Sequence, residues 1–401
     1  MTRYRVENFE IEEGNPSLQD RLKRAYANKA RPLCLCRDPA PEMYIAKFED
    51  KFLIKRMPGS GNKHSPDCDS YEPPPELSGL GQVMGSAIQE DVTEGVTNLK
   101  LNFSLKKLPG RQAPVPKETE RESVKTDGSK LTLRGLLHYL WDEAGLNRWT
   151  PAMEGKRSWF VVRKYLQQAA ESKVAKGASL AEMLYIPETF NADRKFEIEA
   201  RRMGKMLPYV ANHSAARKLM LIVGEVKEIT TSRYGYKVIL KHLPNYHFMM
   251  NEDLYKRLTK SFAAQLGMKE RHENSHLMLI GTFGIGHTEV ATLEEVTLMN
   301  VSEHWIPFEN TSEKTLIDLM TEKQRRFTKS LRYNLPSNKP LAAMVAADTH
   351  PDPTAMFIHN DGDDAFNQAF EEMISQCEMP QWIWHISKGE MPTLPVTGAV
   401  K

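Results

Sequence analysis

Hydrophobic residues recur along this chain with two periods, which predict helices in some stretches and strands in others. Between about residues 130 and 205 the spacing is helical, i, i+3, i+4, i+7 and i+8, first in Leu133, Leu136, Leu137, Leu140 and Trp141. Gly145 is expected to end that helix. A second helix, from about Lys156 to Glu171, has an apolar face made of Trp159, Val162, Tyr165, Leu166 and Ala169.

Between about residues 215 and 308 the apolar residues follow the pattern of short strands. The predicted strands are KLMLIVGEVKEI, YGYKVILKHL, HLMLIGTFGI and ATLEEVTLMNV, with a turn at SRYGY between the first two. Short strands with glycine-containing turns favour a small sandwich or barrel. GTFGIG (Gly281–Gly286) lacks the Gly-Lys-Ser/Thr ending of a phosphate-binding loop, so it is interpreted as strand and turn.

The last segment, 309–401, alternates helices and strands. Its predicted order, helix-strand-strand-helix-strand, resembles the core of restriction endonucleases, whose active members hold Mg²⁺ with carboxylates. Glu313 and Asp348 are the carboxylates in corresponding places, but the second strand, Ala355–His359, has neither Glu nor Lys. We therefore expect a nuclease-like domain without activity. An ion held by Asp348, His350 and Asp352, or by Asp361–Asp364, stays an alternative to solvent-exposed acidic loops.

The chain is thus predicted to be a multidomain α+β protein with five segments. These are an N-terminal module stapled by zinc (1–105), a linker (106–129), a basic helical region resembling a helix-turn-helix (130–205), a β-rich domain (206–308) and the α/β domain (309–401).

Composition fits this organisation: 401 residues, 40% hydrophobic and 26% charged, can bury a core. The longest apolar runs are far shorter than the roughly 20 residues of a membrane span, and residues 1–14 contain no apolar export signal. We therefore expect a cytoplasmic protein with no membrane partner. Its four cysteines are expected to be reduced, so that clustered ones indicate metal.

Positive charge is concentrated in the first half of the chain. Residues 21–63 contain eleven Lys/Arg against four Asp/Glu, and residues 121–176 eleven against six, whereas residues 344–401 contain two against nine. The first half suits a polyanion and the last segment would repel one. Nucleic acid, with DNA favoured, is the expected partner, although solvated charge runs would give the same counts.

Three cysteines and one histidine have the spacing of a metal site. Cys34 and Cys36 form one pair, and His64 and Cys68 form another, with a predicted β-hairpin (MYIAKFEDKFLIKRMP, turn near 49–51) between the pairs. Such a hairpin would bring the pairs together around a tetrahedral, structural Zn²⁺. Asp67 or Asp69 is a possible hydrogen-bond partner of a ligand, or a replacement for His64.

Two groups of cations are the predicted nucleic-acid contacts. On and near the hairpin they lie among Tyr44, Phe48 and Phe52, aromatic residues on which we expect bases to stack, and they are Lys47, Lys51, Lys55, Arg56 and Lys63. On the second helix of the basic region they are Lys156, Arg157, Arg163 and Lys164. For both groups an ordinary solvated face is the alternative. The tryptophans Trp141, Trp149 and Trp159 and the lone thiol of Cys377 are assigned to the core.

Several of these strings together resemble a known family. They are CLC, MYIAKF, LIKRMPGSG, His-x3-Cys, SYEPPPELSGLGQVMGSAIQE, LTLRGLLHYLWDEAGLNRW, GKRSWFVVRKYL, PLAAMVAAD and MPTLP. The chain is similar over nearly its whole length to an uncharacterised bacterial domain-of-unknown-function family with three N-terminal cysteines, here Cys34, Cys36 and Cys68. The resemblance implies an association with conjugative elements and plasmids, but it does not imply a mechanism.

The resulting hypothesis is a zinc-containing, nucleic-acid-binding accessory protein of a bacterial mobile genetic element, without catalytic residues. Other proteins encoded by the element are possible partners. Two alternatives stay open: a metal-dependent nuclease that uses the C-terminal domain, and a protein-interaction subunit without affinity for nucleic acid.

Overall fold

The computed structural model describes residues 2–48, 51–107, 128–211, 217–360 and 362–398. The turn predicted at 49–51 lies largely outside these residues, as does most of the predicted linker. The chain is divided into two compact units. Unit 1 consists of Met1–Leu99, Ser172–Val174 and Arg326–Lys401, and unit 2 of Lys100–Glu171 and Ala175–Arg325. Unit 1 therefore takes in both the predicted N-terminal module and most of the predicted C-terminal domain.

The strands in chain order are β1 (Arg3–Val6), β2 (Phe9–Glu12), β3 (Leu33–Cys34), β4 (Met43–Phe48), β5 (Lys51–Arg56), β6 (Ile88–Asp91), β7 (Val96–Leu99), β8 (Lys106–Lys107), β9 (Arg148–Trp149), β10 (Lys173–Ala175), β11 (Ala178–Ser179), β12 (Leu184–Tyr185), β13 (Arg217–Lys218), β14 (Met220–Ser232), β15 (Gly235–Leu240), β16 (Leu243–Met250), β17 (His276–Ile285), β18 (Ala291–Val301), β19 (Pro307–Phe308), β20 (Phe327–Lys329), β21 (Met344–Ala346), β22 (Thr354–His359) and β23 (Gln381–His385).

The α-helices are α1 (Leu18–Ala27), α2 (Leu80–Val83), α3 (Leu133–Glu143), α4 (Trp159–Ala170), α5 (Leu180–Met183), α6 (Lys195–Met206), α7 (Glu252–Ser261), α8 (Ala263–Arg271), α9 (Thr311–Glu322) and α10 (Asp364–Gln376). Within the described residues, no helix is both long and apolar enough to cross a membrane.

In unit 1, β1, β2 and β3 form a small antiparallel sheet that packs with α1 and with the β4–β5 hairpin. The hairpin was predicted from its alternating pattern, and its register pairs Met43 with Arg56 and Lys47 with Phe52. The side-chain amide of Gln19 on α1 donates to the carbonyl of Phe52 and accepts from its N–H, so the helix closes an edge of the hairpin. The core between these elements contains Val6, Leu22, Met43, Ile45 and Phe52.

The last strands of unit 1 lie in the order β23-β22-β21-β20. The pairs β20–β21 and β21–β22 are antiparallel, whereas β22 and β23 are parallel, with α10 between them in the chain. Phe357 and Phe370 pack on the same core cluster as Leu77 from the N-terminal half. The predicted alternation of helices and strands is thus present, while its likeness to an endonuclease core stays a prediction.

Unit 2 contains a closed five-stranded barrel. The long strand β14 pairs with β17 through its first half, Met220–Glu225. Its second half, from Val226, pairs with β15, and this pairing contains an irregularity between Val226 and Glu228. The pairs β15–β16 and β17–β18 are antiparallel, and a parallel pairing of β16 with β18 completes the ring. Of the two predicted architectures, sandwich and barrel, the structure has the barrel.

The barrel is filled by apolar side chains that alternate along its strands, among them Ile222, Val238, Phe248, Leu279 and Phe283. Helices α7 and α8 lie between β16 and β17 in the chain, and Leu254 and Leu258 of α7 belong to the same cluster. GTFGIG is the end of β17 and the following turn, as predicted.

The basic helical region of unit 2 differs from a helix-turn-helix. Its helices α3 and α4 were predicted, and Gly145 follows the first with φ of +63°. However, residues 144–158 separate them and include a short strand and a 3₁₀ turn, whereas a helix-turn-helix needs a turn of three or four residues. Moreover, α3 is buried along most of its length, so it is a core helix rather than an amphipathic surface one.

Candidate metal centre

Three local structures in unit 1 place the four predicted ligands. Cys34 ends β3 and pairs with Tyr4 of β1, and Cys36 follows two residues later. The β4–β5 hairpin then returns the chain to the same region. A short 3₁₀ helix, Gly61–Lys63, leads into His64, and a turn closed by the N–H of Cys68 on the carbonyl of Ser65 (2.8 Å) presents the last thiol. The hairpin thus brings the two pairs together, as the sequence predicted.

The four ligand atoms form a compact group in which all lie within 4.8 Å of one another. Cys34 Sγ lies 3.6 Å from Cys68 Sγ, and His64 Nδ1 lies 3.4 Å from Cys36 Sγ and 3.7 Å from Cys68 Sγ. Metal–sulfur bonds of about 2.3 Å and metal–nitrogen bonds of about 2.0 Å around a tetrahedral centre put ligand atoms roughly 3.5–3.8 Å apart. The spacing therefore matches that of a four-ligand site, and the group can bind a metal ion.

Burial and backbone hydrogen bonds support the same group. Cys34 and His64 are 0% and 1% exposed. The N–H of Ser65 donates to Cys36 Sγ and the N–H of Ser70 to Cys68 Sγ, both at 3.4 Å. Donors pointing at sulfur favour the thiolate, which is the form that binds metal.

One of the thiols is already biased towards thiolate. The hydrogen bond from the Cys34 thiol, together with His64 and backbone donors, lowers the pKa of Cys68 to about 4. Conversely, the hydrogen bond to Cys68 and burial raise the pKa of Cys34. A cation bound at the centre of the group would remove this asymmetry, because it would displace the proton of each thiol into solvent and hold all three as thiolates.

The two neighbouring aspartates have other partners. Asp67 forms an ion pair with Arg326, and Asp69 accepts a hydrogen bond from the Thr2 hydroxyl (2.8 Å). Neither belongs to the group of four, so His64 is the geometrically suited fourth ligand. Cys377 is part of the second core of unit 1, as predicted.

The cations predicted on the hairpin do not share one face. Side chains on opposite strands of a register pair lie on the same side of a sheet, which separates Lys51 and Lys55 from Lys47 and Arg56. Lys55 donates to the Ser172 hydroxyl (3.1 Å) and Arg56 is paired with Glu72, whereas Lys47, Lys51 and Lys63 are exposed.

Two of the three aromatic residues predicted to stack on bases are buried, while the side chain of Phe48 lies outside the described part of the chain. Tyr44 and Phe52 are 6% and 8% exposed. The rings of Tyr44 and Phe52 are packed in the interior of unit 1, where no base can reach them. The prediction that these two residues stack on bases is therefore wrong.

Of the four cations predicted on the second helix, one is structural. The guanidinium of Arg157 donates to the carbonyls of Leu146 (2.9 Å), His304 (3.0 Å), Gly145 (3.3 Å) and Arg148. Its assignment as a nucleic-acid contact is wrong because its donors are used inside unit 2. Arg163 donates to the carbonyl of Ile186 (3.1 Å), while Lys156 and Lys164 are exposed.

The two carboxylates considered for a nuclease hold backbone groups. Glu313 lies in the first turn of α9: its carboxylate accepts from the N–H of Glu309 (2.8 Å), and its own N–H donates to the side chain of the N-cap residue Asn310 (2.9 Å). Asp348 accepts from the N–H of Arg326 (2.8 Å). Furthermore, α9 belongs to unit 2 and the strands that follow it belong to unit 1.

The sequence predicted a turn at SRYGY but assigned no functional residue to this β14–β15 loop. Arg233 and Tyr234 lie between Ser232 and Gly235, which form the last pair of the two strands. Tyr234 is 78% exposed, and the Arg233 guanidinium carbon is 5.2 Å from the centre of its ring. The signal was present in SRYGY, where an aromatic residue and a cation occupy the tip of a predicted hairpin.

These features define a class: a mixed α+β protein whose thiolate and imidazole group can hold a metal ion and whose second unit is built on a five-stranded barrel. Within that class, residues 4–387 match the model of DUF1173, described as a protein of unknown function, and the chain belongs to this family. The expected relation to an uncharacterised family is thereby confirmed. No curated protein and no solved structure matches the sequence.

Proposed function

We propose that this protein is a zinc-containing, nucleic-acid-binding accessory protein that acts without catalysis. The observation that carries the nucleic-acid part is the order of strands in the barrel of unit 2. The barrel strands, counted along the chain from β14 to β18, lie in the order first, second, third, fifth, fourth around the ring. The third and fifth strands, β16 and β18, are parallel, and helices follow the third. This is the arrangement of the OB-fold. OB-folds bind oligonucleotides on the face of strands two and three and on the adjacent loops.

Zinc is the proposed metal because of the donor set. Three soft thiolates and one imidazole at tetrahedral spacing suit Zn²⁺ better than oxygen-seeking Mg²⁺ or Ca²⁺. Four protein ligands leave no position open for substrate, which favours a structural role. The metal would link β3 to the segment after β5 and so contribute to the folding of unit 1.

The remaining parts of the proposal have separate supports. A non-catalytic role is favoured over the nuclease because Glu313 and Asp348 already bind backbone N–H groups. The setting, the cytoplasm of a bacterium that carries a plasmid or conjugative element, follows from the resemblance described above. Element-encoded proteins are possible partners, for which the acidic segment 344–401 would be the docking region.

The test is a fluorescence-anisotropy titration of labelled oligonucleotides with the full chain between about 50 and 200 mM salt, with Mg²⁺ present. If six or more phosphates are neutralised, affinity should fall by roughly a thousandfold or more over this range. The oligonucleotide recovered after the titration should be uncut.

The other outcomes separate the alternatives. Cleavage that requires Mg²⁺ or Mn²⁺ and disappears in Asp348→Ala would favour the nuclease. Absence of binding at the lowest salt would contradict the nucleic-acid proposal and favour a protein-interaction subunit.

A further inference from the structure

We infer that the barrel binds single-stranded rather than duplex nucleic acid, and that an unpaired base stacks on Tyr234. This inference rests on the proposed function and specifies its ligand. Its basis is the loop between β14 and β15 together with the outer face of the three strands β14, β15 and β16.

The first observation is an aromatic ring in a position where the fold does not need one. Tyr234 is 78% exposed at the tip of a two-residue loop. The loop geometry depends instead on Gly235, which has φ of +103° and whose added Cβ would lie 2.8 Å from the carbonyl oxygen of Met250. An exposed ring beside a guanidinium is the combination on which single-stranded nucleic acid stacks.

The second observation is a row of outward-facing side chains next to that loop. Val238 and Phe248 point into the barrel core, so their neighbours Lys237 and Met249 point outward. The registers pair Thr230 with Lys237 and Lys237 with Met249, which makes one row across three strands. All three side chains of this row are partly exposed. A cation between a hydroxyl and a thioether suits a backbone phosphate with a base lying alongside.

The third observation is charge. Residues 217–260, which include β14, β15, β16 and most of α7, contain nine Lys/Arg against four Asp/Glu. A polyanion is therefore attracted to this part of unit 2. Duplex DNA would offer the same charge, but its bases are stacked on each other and present no free face to Tyr234. The ring and the shallow strand face together favour a single strand.

The experiment compares labelled single-stranded oligonucleotides of about 15 nucleotides with the same sequences as duplexes, at low salt and with the full chain. We expect the wild-type protein to bind the single strands more tightly. Tyr234→Ala should weaken single-strand binding by roughly 5- to 150-fold, the range measured for loss of one stacked base. Tyr234→Phe keeps the ring and should bind within about twofold of wild type.

Phe196→Ala is the matched control, because Phe196 is an equally exposed aromatic residue (82%) on α6 of the same unit. Its binding should equal that of wild type. Preference for duplex, or unchanged binding by Tyr234→Ala, would overturn the single-strand inference and leave the proposed function standing. Equal losses in Tyr234→Ala and Tyr234→Phe would overturn stacking, because the hydroxyl would then be responsible. Binding to neither form would contradict the proposed function itself.

Discussion

Two arrangements of side chains matter most at the residue scale: the four ligands of the candidate metal centre, and the guanidinium of Arg157 with its carbonyl acceptors. The four ligands could be predicted because the spacing of Cys-x-Cys and His-x3-Cys is typical of metal-binding pairs. The hairpin predicted between the two pairs indicated that they come together in the fold. The role of Arg157 could not be predicted, because its acceptors are carbonyls at Gly145, Leu146, Arg148 and His304, and backbone groups leave no trace in a sequence.

The first prediction at this scale concerns the metal. Cys36→Ser and Cys68→Ser should each release the metal and lower the thermal stability of unit 1, because a three-ligand site with a hydroxyl binds Zn²⁺ far more weakly. Metal content by mass spectrometry and thermal unfolding check this. Cys377→Ser, outside the group, should keep one zinc per chain. Cysteine variants that retain zinc and wild-type stability would refute the site.

The second prediction separates structural from surface cations. Arg157→Met should destabilise unit 2 by about 2–4 kcal/mol, because several carbonyls lose their donor. Lys164→Met, at an exposed position of α4, should change stability by less than about 0.5 kcal/mol. Denaturant unfolding of the two variants measures both values. Similar stabilities would mean that the hydrogen bonds of Arg157 contribute little.

At the scale of elements, the positions of helices and strands along the chain could be predicted from the spacing of apolar residues, but the pairing of distant strands could not. The strands β14, β15, β17 and β18 were predicted close to their observed bounds, and the hairpins β4–β5 and β14–β15 followed from short turns. The pairings that close the barrel join β14 to β17 and β16 to β18, across a long connection, and a periodic pattern does not encode such partners. The helix-turn-helix prediction was wrong for a similar reason. The apolar face of a helix indicates which side is buried, but it does not indicate how the chain runs from one helix to the next.

A buried ion pair on β14 gives a pH-dependent prediction. Glu225 is 4% exposed and accepts from His276 Nδ1 (2.8 Å) and Lys241 Nζ (3.1 Å). Burial acts to raise the pKa of Glu225, but these two partners outweigh it and hold the pKa below its ordinary value. A carboxylate with a lowered pKa stabilises the fold above its unfolded pKa of about 4.3. That contribution is lost as pH falls through the lower, folded value.

Glu225→Gln should therefore unfold at a lower temperature than wild type at pH 7, and the difference should shrink as pH falls below about 4.3. Glu228→Gln, at an exposed position of the same strand, should show little effect at either pH. Thermal unfolding followed by circular dichroism measures both. A difference that stays constant with pH would exclude the carboxylate as its cause.

At the scale of the whole molecule, the chain crosses the boundaries that composition suggested. Unit 1 is assembled from both ends of the sequence: the N–H of Gly79 donates to the carbonyl of Leu331 (2.8 Å), and Ala342 donates to Leu77 (3.1 Å). Composition marks changes along the chain, whereas a unit is defined by contacts between distant segments.

This organisation predicts that the fragment 1–105 is not an independent module. Without Arg326–Lys401 it loses the partners of Gly79 and Leu77 and exposes part of their core. The fragment should lack a cooperative thermal transition and be digested by protease faster than the same segment in the full chain. A fragment that unfolds cooperatively and resists protease would restore the predicted N-terminal module.

If nucleic acid binds on the barrel, its affinity must depend on salt through the cations of that surface. The measurement is the slope of log affinity against log salt for a labelled single strand, with wild type and with the double variant Arg233→Ala/Lys237→Ala. Two lost phosphate contacts should reduce the slope by about 1.4. The control double variant, Lys195→Ala/Lys323→Ala, removes the same charge from residues paired with Glu199 and Glu322 and outside residues 217–260, and its slope should equal that of wild type. An unchanged slope in the barrel variant, or no salt-dependent binding by wild type, would mean that nucleic acid does not bind on the barrel.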